Sequence, residues 1–358
     1  MAKFASYESM TSEKGWFSVI PLLSYGAFIN MLIGARSLGK SVAVALWVLF
    51  RYLKNGEQFI YTRRNADTLK LTAEDWFASA CRILNENDYE FDFEYKGGLY
   101  LINGEVAGYA VPLNMQHKYK GRDFINVWWI CFDEFIADIS ERYEGQNINF
   151  LTEYDCLIKL AQTADRTVGR PRRSEVKIFC MGNAESLYNP VIVGTGADRY
   201  IREDSHFVHP KGKKWAVQLL REDDSASSQG FTDYVYYELA SENLKAMAYD
   251  NRPKEFKDSP FIKTIKKPLM PLCNFVWDGK QFGFYADRNA GIFYLSKKLN
   301  SCHDMIALSI DDHKPNYFLA RNGNVYIGLI KETYAMGQLF FETNEIKTCI
   351  DSFLKFVR

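Results

Sequence analysis

The chain has 358 residues, enough for two domains, and its 47% hydrophobic and 15% aromatic content excludes a disordered polymer. Lys plus Arg and Asp plus Glu both number 44, so net charge is zero and any contact with nucleic acid must come from a local patch. Seven cysteines scattered singly, no signal-peptide core and no apolar run of membrane-spanning length predict a soluble intracellular protein with reduced thiols, no zinc site and no membrane partner.

Residues 1 to about 27 are mixed and aromatic, and Phe17 to Tyr25 suit either an adenine platform or core packing. The apolar run Asn30-Met31-Leu32-Ile33 then feeds Gly34-Ala35-Arg36-Ser37-Leu38-Gly39-Lys40-Ser41, which fits the phosphate-binding P-loop at every fixed position. Gly34 and Gly39 let the backbone wrap a phosphate, with N–H groups and a helix N-terminus aimed at the anion. Lys40 supplies a point charge for the β- and γ-phosphates, and Ser41 a hydroxyl for Mg2+. The loop opens into Val42–Phe50, which reads as a buried helix, and the β-rich Gly56–Arg64 and a helix over about 66–84 follow. Strand, P-loop, helix, strand is the opening of a parallel α/β sheet.

Between Tyr89 and Leu113 aromatics alternate with acids, and Gly97-Gly98 and Asn103-Gly104 mark tight turns, which predicts an antiparallel meander beside the parallel strands. The short basic loop Gln116–Arg122 precedes a near-continuous apolar run, Phe124 to Phe132, ending in Asp133-Glu134. Such a run reads as a central strand, and ligands bind at the carboxyl ends of strands in open α/β sheets. Asp133 is placed to organise Mg2+ and Glu134 to polarise the attacking water. A helix over about 149–163 leads to the basic cluster Asp165–Arg173. Val176–Asn183 is a further parallel strand, whose Asn183 would stand beside Asp133 and Glu134 to sense the γ-phosphate or position water; an ordinary Gly-Asn turn accounts for it equally well.

From about Arg202 to Lys267 the composition loosens into basic, Ser-rich and Pro-punctuated stretches with a helical segment at 241–249. The domain reading is 1–205 for the P-loop ATPase, 206–265 for a lid and linker, and 266–358 for a small α+β domain. That last domain begins with three short strands, Leu272–Trp277, Gln281–Ala286 and Gly291–Leu295. A stretch at 306–309, a helix over 314–321, a strand over 325–330 and an amphipathic tail over 343–357 complete it.

With the P-loop and the Asp133-Glu134 strand in place, the chain resembles the DNA-packaging ATPases of small tailed phages with protein-primed genomes, divergent relatives of the large terminases. The resemblance rests on Ile33–Ser41, Gly56–Arg64, Tyr109–Leu113, Cys131–Ile136 and Gly182–Ala184, an ordered set within the first two hundred residues. It implies an additional-strand P-loop ATPase that binds ATP with Mg2+ and forms a homo-oligomeric ring, a pentamer by the family's pattern. The ring would sit at the portal of the procapsid, transiently within the host cytoplasm, and act on double-stranded DNA; a packaging RNA is left open as a partner. The family completes each ATP site with an arginine from the neighbouring subunit. Arg166 is the best match, because Leu157-Ile158-Lys159-Leu160 keeps the family's apolar spacing, and Arg170 is the runner-up. Lys120, with Lys118 and Arg122 beside it, matches a basic residue acting between subunits. By the same resemblance the second domain is RNase H-like and a vestigial nuclease, since its first strand carries Asn274 where active enzymes of that fold carry a carboxylate. Asp278, Asp287, Asp311 and Asp312 near strand ends leave a residual metal site open.

The function read from the sequence is therefore an ATP-driven motor translocating double-stranded viral DNA into a procapsid. A ring helicase, recognised by strand displacement without procapsids, and a P-loop nucleotide switch, recognised by negligible turnover, are the competing readings.

Overall fold

The computed structural model describes residues 6–13, 17–35, 38–122, 124, 126–136, 152–166, 176–184, 187, 189–202, 205–221, 224, 261–263, 268–320 and 324–356. The chain divides into two compact units, Met1–Lys254 and Glu255–Arg358.

In chain order the first unit contains α1 (Tyr7–Glu13), α2 (Ile20–Leu23), β1 (Ile29–Gly34), α3 (Lys40–Asn55), β2 (Gln58–Thr62) and α4 (Ala66–Asn85). The hairpin strands β3 (Phe93–Lys96), β4 (Leu99–Ile102) and β5 (Glu105–Ala110) come next, then a 3₁₀ helix (Leu113–Tyr119) and β6 (Val127–Asp133). After α5 (Thr152–Asp165) come β7 (Lys177–Asn183), α6 (Pro190–Thr195), β8 (Phe207–Val208) and β9 (Trp215–Leu219). These strands form one nine-stranded sheet in the order β3-β4-β5-β2-β6-β7-β1-β9-β8. From β5 to β9 every pairing is parallel. β7 lies between the P-loop strand β1 and the carboxylate strand β6; it is the additional strand expected of this ATPase class. The meander β3-β4-β5 extends one edge as predicted.

Side-chain alternation builds the two faces. Trp129 and Cys131 of β6 join Val44 and Leu46 of α3 and Phe77 of α4 in one core, while Ile130 and Phe132, fully buried, point to the opposite face. Each large apolar side chain removed from water in this way contributes about 1.5–3 kcal/mol. Phe17, Val19 and Leu22 are buried, which favours the core-packing alternative for that segment.

Two expectations need correction here. Within the stretch read above as lid and linker, β8 and β9 are strands of the first sheet: β9 pairs with β1 from Ile29↔Trp215 to Ile33↔Leu219. Five consecutive buried positions, alternating Trp, Ala, Val, Gln and Leu, are what a strand covered on both faces requires. The carboxylate strand also stops at Asp133, with Glu134 in the turn beyond it. The helix expected at 241–249 lies outside the described residues.

The second unit contains β10 (Met270–Trp277), β11 (Lys280–Asp287), β12 (Ile292–Ser296), β13 (Met305–Ala307), β14 (Tyr317–Leu319), α7 (Val325–Ala335), β15 (Leu339–Phe341) and α8 (Asn344–Phe356). Its sheet order is β14-β13-β10-β11-β12-β15. Three antiparallel strands followed by two parallel ones on the far side of β10 match the RNase H-like arrangement. Phe275, Phe282, Phe284, Ile350 and Phe353 fill the core under α8. The helix expected over 314–321 is instead the strand β14, held by parallel pairing with β13. The strand expected over 325–330 is instead the start of α7, because Asn324 Oδ1 accepts from the N–H groups of Tyr326 and Ile327 and caps a helix there.

Candidate nucleotide-binding site

The sheet register lines up the carboxyl ends of three strands. Gly34 of β1 pairs with Asn183 of β7, and Asp133 of β6 pairs with Met181. Gly39 has φ +76, a backbone state only glycine adopts freely, and it turns the loop into α3. Lys40 and Ser41, at the first turn of α3, therefore face the ends of β1, β6 and β7. The result is an open cleft of about 400 Å³ lined by Gly39–Val42, Arg63, Asp133, Glu134 and Met181–Asn183. Its volume suits a small-molecule ligand.

Lys40 Nζ donates to the carbonyls of Gly34 at 2.9 Å and Ala35 at 2.6 Å, and to Asn183 Oδ1 at 3.4 Å. These are the partners of an ammonium parked under its own loop. Ser41 Oγ donates to Asp133 Oδ1 at 2.9 Å, which joins the P-loop hydroxyl to the strand carboxylate. Trp76 Nε1 donates to the Ser41 carbonyl from α4. The other oxygen of Asp133 accepts from Tyr61 Oη at 2.9 Å and from Arg63 Nη2 at 2.9 Å. Burial, and then the Asp133 carboxylate, hold the Tyr61 hydroxyl well above the usual phenol range, so it remains a donor.

Glu134 sits in the left-handed region at φ +52, a strained position for a residue with a side chain. Its carboxylate, half exposed, accepts from Arg63 Nη1 at 2.8 Å. Arg63 thus bridges both carboxylates while donating through Nε to Tyr61 Oη at 3.1 Å. Burial works against its charge, but Tyr61, Asp133 and Glu134 outweigh burial and raise its pKa. Beyond Glu134 the turn is clamped. The Phe135 N–H donates to the Met181 carbonyl, and the Phe135 carbonyl accepts from Arg64 Nη2 at 3.0 Å and from Asn189 Nδ2. Gly182 lies under this turn, where an added Cβ would meet the Phe135 ring at 2.9 Å.

The site therefore brings together Gly34, Ala35, Gly39, Lys40, Ser41, Asp133, Glu134 and Asn183, with Leu38 buried beside the loop. Arg36, Ser37 and Arg170 lie outside the described residues. Lys120, which ends the 3₁₀ helix, and Arg166, which follows α5, are exposed and do not line the cleft. Arg63 and Tyr61 were not singled out from sequence. Their signal was positional: β2 is parallel to β6, so the residues ending it arrive at the same edge. The hydroxyl of Ser41 and the carboxylate of Asp133 are adjacent hard oxygen donors at the cleft, a chemistry that fits a magnesium ion.

In the second unit Asn274 Nδ2 donates to the carbonyls of Asn300 at 2.8 Å and His303 at 2.7 Å, and its Oδ1 accepts from the Asn300 N–H. The side chain is committed to holding the loop between β12 and β13. Asp287 Oδ1 accepts from two turn N–H groups, and Asp312 accepts from the N–H groups of Asp278 and Gly279. Among the described residues no group of three His, Cys, Asp or Glu side chains could hold a metal ion.

The sequence profile of the podovirus DNA encapsidation protein (Gp16) family matches residues 13–357. The chain belongs to that family. DNA packaging proteins of Bacillus phage PZA and Bacillus phage phi29 are each 28% identical to this family member, over 339 and 342 residues, covering 91% of this chain and 93% of theirs. A chain of the bacteriophage Phi-29 viral genome packaging motor assembly shares the fold with a TM-score of 0.67 and 24% identity, covering 96% of this chain and 100% of that one. This family member is thus a phage DNA-packaging protein with a P-loop ATPase fold, followed in the chain by a small α+β domain. Among its described residues no helix is long and apolar enough to cross a membrane.

Proposed function

We propose that this protein is the ATP-hydrolysing motor that drives double-stranded DNA into a procapsid. The observation that carries this is the contact of Ser41 with Asp133 at the mouth of one cleft, with Lys40 and Glu134 on the same edge, in a member of a DNA encapsidation family. When ATP enters, Lys40 would leave the Gly34 and Ala35 carbonyls for the β- and γ-phosphates. Ser41 and Asp133 are the residues that would hold magnesium, which supplies charge neutralisation on the phosphates. Glu134 can take a proton from the attacking water once its carboxylate is free of Arg63. Arg63 therefore sets the resting state of both carboxylates.

The charge that builds on the γ-phosphoryl oxygens needs a further cation, and none of the described cleft residues besides Lys40 and Arg63 supplies one. Arg166, exposed at the end of α5, is assigned to the site of the neighbouring subunit in a homo-oligomeric ring, with Lys120 as a second cation between subunits. A chain of the same fold in the bacteriophage Phi-29 viral genome packaging motor assembly supports action within a larger assembly. Grip on DNA would fall on phosphates, since packaging must be indifferent to sequence. The second unit, with Asn274 tied to its loop, serves for binding rather than cutting.

Packaging assays with purified procapsids test this reading. Lys40→Ala should lose ATP binding, packaging and turnover together. Glu134→Gln should bind ATP and stop hydrolysing it, and wild-type turnover in that variant would remove Glu134 from its role.

A further inference from the structure

Two adjacent residues just past β2 contact the Asp133–Phe135 turn, α5 and the start of the 3₁₀ helix. Arg63 holds Asp133 and Glu134. Arg64 donates through Nε and Nη2 to Glu153 in the first turn of α5, and through Nη2 to the carbonyl of Phe135 in the catalytic turn. The backbone carbonyls of Arg63 and Arg64 accept from the N–H groups of Leu113 and Asn114, at 2.9 and 3.0 Å, where the 3₁₀ helix that ends beside Lys120 begins. That 3₁₀ helix packs on α5. The turn that carries Glu134, the helix that leads to Arg166 and the helix that leads to Lys120 all meet at one dipeptide.

The link is built to transmit displacement. Arg64 and Glu153 are 17% and 7% exposed, so the pair is shielded from water and its guanidinium fork is fixed by two carboxylate oxygens. Tyr154 lies against Gly194 of α6, where an added Cβ would meet the ring at 2.5 Å, which leaves the first turn of α5 little slack. The buried Asn189 that caps α6 donates to the same Phe135 carbonyl. α5 itself is a rod of about 20 Å at 1.5 Å per residue, with Arg166 beyond its far end. The Glu134 turn, strained at positive φ, is held here by Arg63.

We propose that Arg64 and Glu153 are positioning residues that couple a subunit's own Glu134–Phe135 turn to the arginine its α5 offers to the next subunit. Release of Glu134 shifts the Phe135 carbonyl, Arg64 follows it, and Glu153 carries the first turn of α5 along. The proposal rests on the reading of Arg166 as a trans-acting group.

The test is complementation in mixed rings, with Arg166→Ala as the reference. Glu153→Gln and Arg64→Lys rings should bind an ATP analogue within about twofold of wild type, with turnover down about tenfold to a hundredfold, the scale of a small misplacement of a catalytic group. Mixed with Glu134→Gln subunits, which bind ATP and keep the donor route but cannot hydrolyse it, both variants should regain activity as Arg166→Ala does. If Arg166→Ala is rescued and the two variants are not, the pair serves its own subunit and the proposal is overturned while the trans arginine stands. If Arg166→Ala itself is not rescued, the trans reading falls and the proposal with it. Unchanged turnover in both variants, or loss of analogue binding in both, would also overturn it.

Discussion

Asp133 accepts from Ser41, Tyr61 and Arg63, and only the first of these would share a magnesium ion with it. Arg63 competes with that ion for the carboxylate. Arg63→Ala should therefore lower the melting temperature of the nucleotide-free protein, since losing a charged hydrogen bond at a buried carboxylate costs about 1–3 kcal/mol. The same variant should gain more than wild type on adding Mg2+ and an ATP analogue, a pair of measurements that thermal unfolding supplies. In the second unit Asp278 occupies a turn at φ +52, and partial desolvation with the neighbouring Asp312 carboxylate raises its pKa. Folding thus favours its protonated form. That contribution is full below the usual carboxylate value of about 3.9 and is lost as pH rises through the raised value. Asp278→Asn, which keeps a residue at ease in a left-handed turn, should stabilise the domain at neutral pH and give no gain in acid; equal gains at both would rule this out. Residue types and spacing were enough to place Lys40, Ser41, Asp133 and Glu134 at one cleft, because they belong to two local motifs. Arg63 and Glu153 were not legible, since their partners lie 71 and 89 residues away in the chain.

Strands β6 and β7 declared themselves by apolar runs closing on polar residues, as buried parallel strands do. β9 did not, because a five-residue strand inside a basic, loop-rich stretch carries too little pattern to outweigh its surroundings. α7 and β14 were exchanged for a related reason. The β-branched and aromatic start of α7 looks extended until Asn324 caps it, and Tyr317–Leu319 is a strand only because β13 is there to pair with. β10 provides the test at this scale. Asn274→Asp would set a carboxylate against the Asn300 and His303 carbonyls and remove two donated hydrogen bonds. The expected loss is about 1–3 kcal/mol in stability, read as a lower unfolding midpoint, with no DNA cleavage in magnesium or manganese. Cleavage by that variant would show that a metal site needs nothing but the restored carboxylate.

At the scale of the whole molecule, zero net charge and a phosphate-directed grip predict DNA binding that weakens steeply with salt and ignores sequence. Competition between unrelated duplexes at two salt concentrations measures both. Arg166→Ala should bind ATP and lose hydrolysis by about a thousandfold or more, the scale of a missing arginine finger. The architecture also governs how the protein comes into being. β1, which carries the P-loop, is flanked on both sides by strands made much later: Asn30 donates to Ile178, 148 residues on, and β9 follows later still. At ribosomal rates that gap lasts about 7–30 s, during which the nascent chain holds the complete P-loop sequence without the strands that shape it. Burial of Met31 and Leu32 must wait for the same partners, so the early chain exposes an apolar strand that is open to aggregation until they arrive. A polypeptide halted before residue 176 would lack β7 and β9, and with them any working nucleotide site.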